Sequence, residues 1–102
     1  MQISQIFDVF IKTVKKYSDV VYMYQYFKTN VEKDYIRYRF DAKPVEGDTI
    51  SIYINTDKKN NLKSVSAKYT GDLINTVFTD FSDYLRSINK NLIIDATQVV
   101  LQ

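Results

Sequence analysis

Four short segments that alternate apolar and polar residues lie between two stretches of helical periodicity, and that order leaves few folds open. From Ile3 to Tyr17 the apolar residues Ile3, Phe7, Phe10, Val14 and Tyr17 step by three and four, with Ile6 and Ile11 widening the stripe and Asp8, Lys12, Lys15 and Lys16 on other faces. The spacing predicts a helix with a core face, ended by Ser18 and Asp19. Its polar face is not strongly cationic, so packing against a sheet is favoured over lying on a membrane surface.

Val20 to Thr29 is rich in Val, Tyr, Met and Phe and favours a strand, but its apolar groups occupy both parities and do not fix a buried face. Tyr35 to Ala42 is cleaner, with Ile36, Tyr38, Phe40 and Ala42 on the core side and Tyr35, Arg37, Arg39 and Asp41 opposite. Lys43 to Asp48 holds the single proline and one of two glycines, which predicts a connection. In Thr49 to Thr56 the residues Ile50, Ile52 and Ile54 point inward while Ser51, Tyr53 and Asn55 point outward.

After a polar turn at Asp57 to Asn61, the residues Val65, Ala67 and Tyr69 alternate with Ser64, Ser66 and Lys68 in a weaker fourth strand. Thr70, Gly71 and Asp72 stop it and offer a helix cap. The second helix, Leu73 to about Ile88, is expected to bury Ile74, Val77, Phe78, Phe81, Leu85 and Ile88. Leu92, Ile93 and Ile94 look like a strand, and Val99, Val100 and Leu101 are expected to pack, either in a fifth strand or against a second copy.

The expected fold is one α+β domain over residues 1–102: an N-terminal helix, a four-stranded antiparallel meander, a second helix and a possible C-terminal fifth strand. At 102 residues the chain can bury roughly two thirds of its unfolded surface and needs no staples. With both helices on one face, the other sheet face has no cover from this chain. If the isoleucine faces of the second and third strands align, Arg39 lies opposite Tyr53 and Arg37 opposite Asn55 on that open face.

The first hairpin admits two registers. With Phe27 opposite Tyr38, the side chains of Tyr24, Tyr26 and Lys28 join Arg37, Arg39 and Tyr53 outside; with Tyr26 opposite Tyr38, the tyrosines turn inward and Met23, Gln25 and Phe27 are exposed. The candidate binding set, Tyr24, Tyr26, Arg37, Arg39 and Tyr53, follows the first register. Such a face is a solvated sheet surface, a protein or self-association interface, or a platform for single-stranded DNA or RNA, where aromatics stack on bases and arginines meet phosphates.

Chemistry is mostly excluded. The chain has no histidine and no cysteine, so disulfides, sulfur-ligated metals and the usual nucleophile and base pairs are absent. Gly47 and Gly71 are isolated and build no phosphate-binding loop. Asp80 and Asp83, one turn apart, could share a hard cation, but a solvated acidic face is the simpler reading. The cluster Lys58, Lys59 and Lys63 with Asn60 and Asn61 reads as a solvated turn.

Fourteen basic residues against twelve acidic ones leave too small a surplus to imply nucleic acid by itself. No apolar run is long enough for a membrane span, and a cytoplasmic protein without cofactors or metals is expected. Lysine outnumbers arginine 11 to 3, a bias of AT-rich coding sequence that suggests a phage or other mobile element as source.

The order of elements is similar to that of small helix and sheet modules such as secretion chaperones and whirly-type single-strand binders. No diagnostic residues accompany that resemblance, so it implies no site. The expected function is a non-enzymatic protein-interaction module, in the form of a homodimer, an adaptor or an inhibitor, that uses the outer sheet face. The alternative is single-strand nucleic-acid binding on the same face.

Overall fold

Two helices cover one face of a five-stranded sheet in the computed structural model, which describes residues 2–69 and 71–98. The order is α1 (Ile3–Tyr17), β1 (Val21–Val31), β2 (Ile36–Pro44), β3 (Ile50–Thr56), β4 (Leu62–Tyr69), α2 (Asp72–Ile88) and β5 (Ile93–Gln98). The strands lie side by side in chain order. This is the two-layer α+β sandwich that the alternation predicts, with the meander and the fifth strand in place.

The fifth strand runs parallel to β4, which makes the sheet mixed. The reason is length. The 17 residues of α2 run back about 25 Å, close to the roughly 26 Å covered by the eight residues of β4, so the next strand starts from the same end as β4. Ile94 then packs against the core while Ile93 is 65% exposed on the outer face. The expectation for Val99, Val100 and Leu101 falls outside the described residues.

The core joins Ile6, Phe10 and Val14 of α1 and Val77, Phe78, Phe81 and Leu85 of α2 to the inward residues of β2, β3 and β4. Rings dominate its α1 side. Phe40 is fully buried and meets Phe7, Phe10, Tyr26 and Phe81 at centroid distances of 5.1, 5.6, 5.7 and 6.4 Å. Tilted and edge-on contacts of this kind add favourable quadrupole terms to area burial. The two helices are also tied at their rims, where the Tyr17 hydroxyl donates to Asp80 at 2.7 Å and Lys16 Nζ lies 3.2 Å from the same oxygen.

Local details depart from the sequence reading in places. The turn after β2 is shorter than the segment Lys43 to Asp48, because Lys43 and Pro44 still belong to the strand; Pro44 closes it, where a missing N–H costs no ladder bond. Gly47, with φ of 100°, makes the turn that follows. Asp72 lies inside α2 and Gly71 takes the cap position without a side-chain bond. Ile88 is about half exposed because α2 ends there, and Leu92 takes a buried place beyond it.

Candidate functional site: the outer face of the sheet

The pairing of β2 with β3 puts Arg37 opposite Asn55 and Arg39 opposite Tyr53, the arrangement that aligned isoleucine faces predict. These side chains share the face turned away from the helices. Alternation along β4 and β5 adds Ser64, Ser66, Lys68, Ile93 and Asp95 to it.

Tyr24 and Tyr26 do not belong to that face. In β1, Tyr24 pairs with Ala42, Tyr26 with Phe40 and Lys28 with Tyr38, so both tyrosines point to the helix side. Outside are Met23, Gln25 and Phe27, opposite Lys43, Asp41 and Arg39. This has the parity of the second register, shifted by two residues. Phe7 of α1 decides it: its ring lies 4.7 Å from that of Tyr26, which completes the cluster around Phe40, and local alternation in β1 contains no trace of that distant contact.

The consequences differ for the two tyrosines. Tyr26 keeps 38% of its surface exposed at the sheet edge. Tyr24 packs against the core with its hydroxyl buried and without a hydrogen-bond partner, and burial raises its pKa. An unpaired buried hydroxyl costs about 1–3 kcal/mol of desolvation. Tyr24→Phe is therefore expected to leave stability unchanged or raise it by about 1 kcal/mol, read as a higher midpoint in urea; a loss of 1 kcal/mol or more would show that the hydroxyl has a partner.

On the outer face itself, two cross-strand ladders hold the polar groups. The first centres on Asp41, which is 2% exposed although it points away from the core. Its carboxylate accepts from Ser51 Oγ at 2.7 Å, Arg39 Nε at 2.8 Å and Gln25 Nε2 at 3.0 Å, so strands β1, β2 and β3 are linked through one side chain. Desolvation pushes the Asp41 pKa up, but the bonds from Arg39, Gln25 and Ser51 outweigh it and hold the carboxyl below the ordinary range. A single layer of side chains shields this charge.

In the second ladder Arg37 Nε donates to Asn55 Oδ1 at 3.1 Å, and Asn55 Nδ2 donates to Ser64 Oγ at 2.8 Å. Both arginines lie over rings, Arg37 at 5.4 Å from the Tyr53 centroid and Arg39 at 5.8 Å from that of Phe27. The side chains are thus arranged before anything binds. Next to them is a shallow groove of about 490 Å³ lined by residues that include Asn30, Arg37, Tyr53, Ser66, Lys68 and Asp95.

No family model matches the chain, and neither curated proteins nor solved structures give a match.

The resemblance in element order therefore brings no site with it, and the residues themselves must carry the reading. Of the candidate set, Arg37, Arg39 and Tyr53 are brought together and Tyr24 and Tyr26 are separated from them. Sequence reasoning overlooked Asp41 as a hub, with Gln25 and Ser51. A signal was present: aspartate is disfavoured inside strands, and an arginine two positions before it on the same face is the partner that makes it tolerable.

Two further carboxylates, Asp57 and Asp80, are engaged internally. Asp80, one half of the Asp80 and Asp83 pair, is held below the ordinary carboxylate range by the Tyr17 hydroxyl, against a smaller upward push from desolvation, with Lys16 adding to the lowering. The Tyr17 pKa is raised in turn by that bond. Asp57 is lowered by Asn61 and Lys59 as it organises the β3–β4 turn, in which Asn60 takes a φ of 65°. Among the described residues, no three carboxylates gather as a metal ion would require, and no helix is long and apolar enough to cross a membrane.

Proposed function

We propose that this chain is a non-enzymatic interaction module that binds a protein partner, a second copy included, through the outer face of its sheet. The observation that carries the reading is the pair of preordered arginine and aromatic stacks, Arg37 on Tyr53 and Arg39 on Phe27, on a face with no covering layer from the described residues. Arginine and large aromatics are the residue types that anchor interfaces, and side chains already fixed by hydrogen bonds lose less entropy on binding. The carboxylates whose acidity shifts, Asp41, Asp57 and Asp80, all shift downward, away from the range of a general acid or base at neutral pH. An adaptor or an inhibitor encoded by a mobile element is the form of such a function that suits a small module.

Phe27→Ala with Tyr53→Ala is the informative variant. Phe27 is 42% exposed and Tyr53 half-buried, so the pair is expected to cost at most about 1–2 kcal/mol of stability while weakening association by at least about tenfold. Light scattering over a concentration series, in low and high salt, reads self-association. A pull-down against the two proteins reads a foreign partner. Unchanged association in both would overturn the reading.

A second reading rests on the groove, which Arg37, Lys68 and Tyr53 help to line. That combination suits a base stacked on tyrosine with its phosphates on the cations, as in single-strand binders. Salt discriminates: affinity for a single-stranded oligonucleotide would fall steeply with ionic strength through counterion release, and Lys68→Ala would lower the slope by about one.

A further inference from the structure

The strand at one end of the sheet combines an unpaired backbone edge with most of the exposed apolar surface of its neighbourhood. Among the described residues, β1 has β2 on one side and no strand on the other. Val20, Tyr22, Tyr26, Phe27 and Val31, on it or flanking it, are all exposed, Tyr22 by 70%. Every residue from Tyr26 to Tyr35 is exposed whichever way it points, so the second half of β1 and its turn overhang the helix layer.

Edge strands are normally blunted by charge, proline or bulges. In β1 the ladder is irregular between Val21 and Met23 and again between Lys28 and Asn30. Between those points lie Met23, Tyr24, Gln25, Tyr26, Phe27 and Lys28, with no proline and a single charge at the end. Six regular residues make a strand of ordinary length, and this one is left open.

From these observations we infer that β1 pairs antiparallel with β1 of a second copy, about a two-fold axis through Tyr26, to give a continuous ten-stranded sheet. The inference goes beyond the outer-face reading above: it places self-association at the edge of the sheet and leaves the outer face to a foreign partner. Symmetry narrows the choice of register. For both helix layers to lie on the same side, a residue must oppose one of equal parity, which excludes every axis between residues. An axis through Tyr26 is the one that overlaps the whole of Val21–Val31, because Tyr26 is its midpoint. Tyr24 then opposes Lys28, Gln25 opposes Phe27 and Val21 opposes Val31. Just beyond the strand, exposed Asp19 meets exposed Lys33 of the other copy, twice over. No like charges face each other, and the closed two-fold leaves no β1 edge for further growth.

The full chain tests this by light scattering across concentration. Dimers are expected, with the dimer dissociation constant of Lys33→Asp raised about tenfold at low salt and returned to within about twofold in the Asp19→Lys, Lys33→Asp double variant. Because the chain lacks cysteine, Tyr26→Cys supplies a second readout. Residue 26 opposes itself at a distance a disulfide spans, so mild oxidation should give a covalent dimer, whereas Phe27→Cys should not. A monomer at all concentrations overturns the inference but leaves the outer face open to a foreign partner. A dimer that ignores the charge swap, fails to cross-link at residue 26 and is lost in Phe27→Ala with Tyr53→Ala also overturns it, and assigns self-association to the outer face. A dimer that responds to the swap and cross-links at residue 26 supports it.

Discussion

Phe40→Ala is expected to remove a large share of the protein's stability. Phe40 is fully buried on the central part of β2 and joins rings from α1, β1 and α2, so truncation removes its own burial and leaves a cavity that four aromatic neighbours cannot fill without leaving their rotamers. Such truncations cost about 3–5 kcal/mol, against about 5–15 kcal/mol for the whole of a typical domain. For a chain of this size that corresponds to a fall in melting temperature on the order of 15 °C or more, read by circular dichroism. A fall of only about 5 °C would mean that the aromatic cluster is not the keystone described. Phe40→Leu, which keeps most of the volume, should cost clearly less.

The second large effect concerns Arg39→Glu. Exposed surface arginines usually change stability by a few tenths of a kcal/mol, but this one sits 2.8 Å from a carboxylate that is 2% exposed. Reversing its charge leaves Asp41 shielded from water and facing a like charge. Removing one partner of a fully buried pair costs about 3–5 kcal/mol; Arg39 is itself 37% exposed, so about 2 kcal/mol is the expectation here. Urea denaturation checks it, and Asp41→Asn in the Arg39→Glu background should recover about half of the loss by removing the repulsion. Additive losses in the double variant would show that the two charges do not interact.

Acid provides an independent view of the same group. The folded pKa of Asp41 lies below its unfolded value, so its contribution to stability is fully present above the ordinary carboxylate pKa of about 4 and is lost as pH falls through the lowered folded value. The stability gap between the parent protein and Asp41→Asn should therefore be constant from about pH 5 to 7 and close on further acidification. A gap that persists at low pH would assign the difference to geometry instead of charge.

How far the fold can be read from the chain depends on where the deciding contact lies. Alternation in β2 and β3 involves a single apolar parity, and pairing there follows from the sequence alone, down to Arg39 opposite Tyr53. In β1 both parities are apolar, and the choice falls to Phe7, separated from Tyr26 by the end of a helix and a turn. The direction of β5 likewise depends on how far α2 travels, a length that periodicity supplies only to within a turn. Within the candidate site, residue type identified Arg37, Arg39 and Tyr53. It did not reveal that Arg39 serves Asp41, because exposure and partnership arise only once three strands are side by side.

The bond between Tyr17 and Asp80 spans 63 positions of sequence and sets the order of events during synthesis. α1 and the hairpins leave the ribosome first, yet the inner sheet face stays half bare until α2 follows. At ordinary elongation rates the 63 positions from Tyr17 to Asp80 take roughly three to thirteen seconds. A nascent chain halted before Val77 would carry Phe40, Ile52 and Ile54 without the α2 residues that help seal them, which makes it a natural client for holding chaperones and a poor survivor of premature termination.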